Sequence, residues 1–99
     1  MEILLVCNLG MSSGILGNKI EAECEKRGIE AKVYAKPMNE IDDDLNKVDV
    51  VLVSPQVRFI AKDLKKKVPE KVKVVVMGPS EFGLQKADVI MDNVLKEEE

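Results

Sequence analysis

Two short runs constrain this chain more than anything else in it: Ile3-Leu4-Leu5-Val6-Cys7, and Val48 to Val53, broken only by Asp49. A strand with one wet face alternates polar and apolar residues. These runs do not, so each reads as a strand buried on both faces. Val72 to Met77 reads as another strand. Strands of this kind belong to parallel sheets, which need helical crossovers, and the intervening segments supply them.

Ser12 or Ser13 is the expected N-cap of a helix that runs to about Arg27. Leu16, Ile20 and Cys24 recur at i, i+4 and i+8 and mark its inner stripe. Glu23 and Arg27 make an i,i+4 pair, and Gly28 is a natural stop. Glu30 to Lys36 alternates, as a strand near a sheet edge does, and Pro37 ends it. Asn39 can cap a short acidic helix from Glu40 to about Asn46, with Ile41 and Leu45 facing inward. Val57 to Lys67 reads as a helix whose buried stripe is Ile60, Ala61 and Leu64. Gly78-Pro79-Ser80 reads as a loop, residues 82–96 as a last helix, and 95–99 as its frayed tail. The order is β-α-β-α-β-α-β-α. It predicts one α/β domain over 1–99, with a four-stranded parallel sheet flanked by helices on both faces.

Such sheets bind ligands beyond the carboxyl ends of their strands, near the point where strand order reverses. Cys7 ends the first strand, so the loop after it sits where this architecture keeps its chemistry. Asn8 to Gly14 join strand to helix, with Gly10 and Gly14 allowing sharp turns or close approach. Successive backbone N–H groups and a helix N-terminus can hold a phosphate-like dianion there, and Ser12 and Ser13 add hydroxyls. The same field favours a thiolate. Cys7 is therefore either a packed thiol or a nucleophile held beside an anion site. Cys24, on the helix stripe, reads as a structural thiol.

Composition narrows the choices. The formal charge is −3 and the aromatic residues are Tyr34, Phe59 and Phe82 alone, which disfavours nucleic-acid binding. No apolar run approaches a membrane span, and no secretory signal is visible. The two cysteines fit reduced thiols, and the expected location is the cytoplasm. There is no histidine, so neither a Cys–His nor a Ser–His pair can form within the chain, and no metal-ligand spacing is recognisable. Lys62, Lys65, Lys66 and Lys67, and separately Glu40 and Asp42 to Asp44, read as solvated faces.

Two families place a cysteine in this loop. Low-molecular-weight tyrosine phosphatases and related arsenate reductases use C-x5-R after the first strand. Ser13 stands where that arginine would be, and the later loops hold no Asp-Pro acid. Without the bidentate guanidinium, hydrolysis should be poor, and this remains the alternative reading. The stretch Ile3 to Leu16 more closely resembles the active-site region of the B component (enzyme IIB) of the bacterial sugar phosphotransferase system, lactose/cellobiose type. Cys7, Gly10, Met11, Ser12 and Ser13 fall on its pattern of cysteine, two small residues, Gly-Met-Ser and a small or hydroxyl pair. Pro55-Gln56 matches its Gly-Pro-Gln, with Ser54 in place of the glycine. Asn8, Leu9 and Gly14 depart from the usual residues.

The resemblance implies a phosphocysteine carrier. Cys7 would take a phosphoryl group from a phosphohistidine on a partner A component, and the loop from Asn8 to Gly14 would hold its oxygens. The group would pass to a sugar bound by a membrane C component, with no metal or organic cofactor and no nucleic acid involved. The donor imidazole would then come from outside the chain. Leu9 and Met11 could form an apolar rim around Cys7 or fold inward. Pro55, Gln56 and Ser80 would stand near the site, as partner contacts or in support of it. The chain is expected to be a monomer on its own, reaching the membrane only through the C component.

Overall fold

The apolar runs do form the centre of a parallel sheet in the computed structural model, which describes residues 1–7 and 10–96. β1 spans Glu2–Cys7, β2 Lys32–Pro37, β3 Val50–Val53 and β4 Lys73–Val76. Their order across the sheet is β2-β1-β3-β4, and each neighbouring pair is parallel. β1 is thus central, and the chain crosses to opposite sides of it to reach β2 and β3.

Successive residues of each buried strand serve opposite faces. Ile3 and Leu5 of β1 join Val50 and Leu52 of β3 in one core layer. Leu4 and Val6 join Val51 and Val53 in the other. The first layer is covered by helices α1 (Gly10–Lys26) and α4 (Ala87–Lys96), through Leu16, Ile20, Cys24, Ile90, Met91 and Val94. The second is covered by α2 (Ala61–Lys67) and the irregular segments around it, through Ile41, Leu45, Val57 and Leu64. At roughly 1.5–3 kcal/mol for each fully buried aliphatic side chain, these two layers supply most of what opposes chain entropy.

α1 begins at Gly10, earlier than the expected caps, so Ser12 and Ser13 lie within its first turn. Only Asn8 and Leu9 separate it from β1, a connection length usual for strand-to-helix joints. Its other end closes as a Schellman motif: Gly28 has φ 76°, the Gly28 N–H donates to the Glu25 carbonyl at 3.1 Å, and the Ile29 N–H donates to the Cys24 carbonyl at 2.8 Å. Arg27 pairs with Glu23 at 2.8 Å and reaches Asp92 of α4 at 2.9 Å, tying the two helices of one face together. Gly17 is buried against β2, where an added Cβ would lie 3.2 Å from the Val33 side chain. Glu21 of α1 accepts the Val33 N–H at 2.7 Å on the sheet edge. At the same edge the Tyr34 hydroxyl donates to Glu2 at 2.8 Å, which raises the Tyr34 pKa.

Three expected helices differ. The acidic segment forms two single 3-10 turns, Met38–Glu40 and Asp42–Asp44, with Ile41 and Leu45 still buried. Three consecutive aspartates are poor helix formers, and Lys36 holds Asp44 at 2.6 Å. The segment after β3 starts as a 3-10 helix, Pro55–Ile60, and becomes α2 only at Ala61. The break is at Val57 (φ −121°, ψ 25°), whose side chain turns into the second core layer. The last expected helix is two. α3 spans Pro79–Gly83, with Gly78 extended as its cap, Pro79 at its first position and the Glu81 carboxylate accepting the Gly78 N–H at 2.8 Å. Gln85 at φ 53° separates it from α4. Pro79 and Ser80, expected in a loop, are therefore helical, and Leu95 and Lys96 are the last turn of α4 rather than tail.

Candidate functional site

The sheet carries Cys7 to the carboxyl end of its central strand, at the reversal of strand order between β1 and β3. Cys7 is 1% exposed. On one side it is in register with Pro37 of β2. On the other, Val6 pairs with Val53, and the next residue, Ser54, donates its N–H to the Val6 carbonyl at 3.0 Å. Ser54 thus extends the ladder beside Cys7.

α1 starts three residues beyond the sulfur-bearing position. The first four N–H groups of any α-helix lack intrahelical acceptors, and here they belong to Gly10, Met11, Ser12 and Ser13. They form the positive end of a helix of 17 residues. Gly10 to Gly14, expected as part of the loop, are therefore the start of the helix. Gly14 falls in the second turn, exposed, where an added Cβ would meet nothing within 4 Å. Asn8 and Leu9 lie outside the described residues, as do the side chains of Met11, Ser12 and Ser13.

Ser54 is fully buried, and its hydroxyl has no hydrogen-bond partner among the described residues. It precedes the 3-10 helix Pro55–Ile60 yet makes no side-chain cap to it. Sequence reading noticed Ser54 only as a substitution in front of Pro-Gln. The available signal was a polar residue closing an otherwise apolar strand. Pro55 is half-buried and Gln56 exposed, both at the Cys7 end of the sheet. Ser80 is exposed on α3 at that same end, but β3 separates β4 from β1. Met38 and Phe59, 39% and 67% exposed, follow β2 and β3 and bring apolar surface to this end.

Other charged groups lie elsewhere. Lys65 lines a hollow with Val68, Pro69, Val72 and Lys73, before and at the start of β4, so the α2 lysines sit toward the opposite end of the sheet. A cleft of about 530 Å³ at the amino end is lined by Glu2, Glu21, Glu25 and Glu30, which would repel a phosphate. Among the described residues, no three His, Cys, Asp or Glu side chains converge as metal ligands. Cys24 lies on the inner face of α1, where burial pushes its thiol pKa up and Arg27 pulls it partly back. It is built to stay protonated. Neither cysteine forms a disulfide.

Comparison with known proteins agrees over nearly the whole length. The family model "PTS system, Lactose/Cellobiose specific IIB subunit" matches residues 2–93. The oligo-beta-mannoside-specific EIIB component of Bacillus subtilis is 31% identical over 84 residues, covering 84% of this chain and 82% of that protein. The galactose-specific EIIB component of Lactococcus lactis subsp. cremoris is 30% identical over 95 residues, covering 90% and 88%. Among solved structures, the lactose-specific IIB domain from Streptococcus pneumoniae superposes with a TM-score of 0.84 at 19% identity, covering 100% of this chain and 98% of that one. The cellobiose-specific IIB component from Borrelia burgdorferi superposes with a TM-score of 0.70 at 29% identity, covering 93% and 85%.

Proposed function

Because the chain belongs to the lactose/cellobiose-specific IIB family of the sugar phosphotransferase system, we propose that it carries a phosphoryl group on Cys7 between two partners. The observation that carries this reading is the placement of Cys7 at the end of the central strand, three residues before the N-terminus of α1.

In the first step the Cys7 thiolate attacks the phosphorus of a phosphohistidine on the A component. The S–P bond forms as the N–P bond breaks, and the electron pair stays on the imidazole nitrogen. The attack needs in-line approach rather than acid–base help, which suits a chain with no histidine. The N–H groups of Gly10 to Ser13, which have no intrahelical acceptor, and the positive end of α1 stabilise the equatorial oxygens. The backbone between Cys7 and Gly14, including Asn8 and Leu9, forms the cradle. In the second step a sugar hydroxyl bound by the membrane C component attacks the same phosphorus. The S–P bond breaks, an O–P bond forms, and the hydroxyl proton is released.

Ser13 in place of arginine keeps the phosphoryl group from water. Hydrolysis would waste it, and a carrier without a guanidinium clamp passes it on instead. Pro55, Gln56, Met38 and Phe59 form the rim that meets the partners, with Ser80 at its margin. The domain works at the cytoplasmic face of the membrane, reached through the C component. Among the described residues no helix is long and apolar enough to cross a membrane. The relatives are named for different sugars, and sugar choice rests with the C component.

The test is direct. Mixed with an A component charged on its histidine, the protein should gain one phosphate by intact mass, labile to iodine as a thiophosphate ester is. The Cys7→Ser protein should gain none. Phosphate on the Cys7→Ser protein, or steady hydrolysis of p-nitrophenyl phosphate by the wild type, would overturn the reading.

A further inference from the structure

Ser54 is a polar residue that the fold buries completely and leaves without a partner. Its exposure is 0%, and its Oγ has no hydrogen bond among the described residues. A buried hydroxyl without a partner costs stability, and such groups call for an explanation. Capping would be the ordinary one, because Ser54 stands just before a helix. That bond is absent, and only the Ser54 backbone carbonyl is used there, by the Val57 N–H at 3.1 Å.

Strand geometry says where the hydroxyl points. Leu5 and Leu52 are register partners and lie in the layer under α1. Val6 and Val53 are the next pair and lie in the opposite layer. Ser54 is still extended, at φ −69° and ψ 153°, and its N–H continues the ladder to Val6. Alternation therefore returns both Cys7 and Ser54 to the α1 face, side by side. α1 starts three residues after Cys7, so its N-terminus begins close to this pair. A serine hydroxyl can rotate to donate wherever an acceptor arrives.

We propose that the Ser54 hydroxyl binds the phosphoryl group on Cys7, donating a hydrogen bond to one of its oxygens. The proposal rests on Cys7 being the carrier. The donor goes unsatisfied while the thiol is empty and is satisfied once the dianion is attached. Its charge-assisted bond then favours the loaded protein over the empty one. The helix-end amides of α1 would supply further donors to the same phosphoryl group.

The experiment measures the equilibrium between an A component loaded on histidine and this protein loaded on Cys7, by intact mass, for wild type, Ser54→Ala and Ser54→Thr. The expected result is that Ser54→Ala lowers the ratio of phosphocysteine to phosphohistidine about tenfold, the scale of one hydrogen bond to a charged group. Ser54→Thr, which keeps a hydroxyl, should recover most of it. The melting temperature of unloaded Ser54→Ala should equal or exceed that of wild type, since an unsatisfied buried group has been removed. The phosphorus NMR resonance of the loaded proteins should differ between wild type and Ser54→Ala. Equal loading ratios with phosphate on Cys7 in all three proteins would overturn the role of Ser54 and leave the carrier reading standing. A loading defect that merely follows a lowered melting temperature would also overturn it. A wild type that takes no phosphate would overturn both.

Discussion

Cys7 and Cys24 are both buried, at 1% and 0% exposure, yet the chain gives them opposite surroundings. α1 is about 25 Å long, with Cys7 just ahead of its positive end and Cys24 in its last turns. At one end stand the helix amides that have no intrahelical acceptor and the Ser54 hydroxyl, which has no partner among the described residues. At the other, the Schellman bonds consume the helix carbonyls, and aliphatic side chains surround the sulfur. Burial alone therefore says little about what a cysteine does. What decides is which end of a helix it faces and whether nearby donors are already used.

Substitutions at the two thiols should break the comparison most sharply. Cys7→Ser removes phosphoryl acceptance altogether, whereas Cys24→Ala leaves it intact; intact mass after mixing with a loaded A component separates the two. In stability the order reverses at the helix stripe. Cys24→Ala should cost about 1–2 kcal/mol by urea denaturation, the scale for deleting a buried group and leaving a small cavity. A smaller effect tests the end of α1 that holds Cys24. Gly28→Ala forces a side chain into φ 76° and should cost about 1 kcal/mol. Amide exchange should then quicken in the last turn of α1, near Cys24, and stay unchanged near Gly10.

The smallest effect is a pH slope. Burial raises the Cys24 pKa in the folded protein, so the unfolded chain loses that proton first. The folded state then binds more protons, and stability is present below the ordinary thiol range and declines as pH rises through it. Wild type should lose stability with alkaline pH more steeply than Cys24→Ala, measured by urea midpoints across that range. Tyr34, also raised, mainly by its bond to Glu2, contributes the same sign to both proteins and cancels in the difference.

The sheet was legible in the sequence because burial on both faces leaves no room for polar residues. Val48 to Val53 could be little else, and the alternating Glu30 to Lys36 marked the edge. Cys7 was legible as a candidate because strand order alone puts it at the switch point, and the sheet does place it there. Helix details were less readable. Apolar spacing found Ile41, Leu45 and Leu64 as inward residues, but it does not distinguish a 3-10 turn from an α turn over so few residues. Nor does it report a kink at Val57 or a left-handed Gln85. Gly17 and Ser54 were missed for a different reason. What each can do depends on what lies across from it, Val33 for the first and Cys7 for the second, and no local pattern encodes a neighbour 16 or 47 positions away.

The bond from the Val33 N–H to Glu21 bears on how this molecule meets others. The Lys32 N–H turns inward to Met1, so alternation leaves Val33, Ala35 and Pro37 facing out from the β2 border of the sheet. Glu21 occupies the first, and proline has no N–H to offer, which among the described residues leaves the Ala35 N–H as the one donor of β2 facing that border. A foreign strand laid there would find almost nothing to pair with, and Lys32 and Lys36 would meet it as charge. The β2 border is thereby short of donors for strand addition, and an incoming strand gains little there.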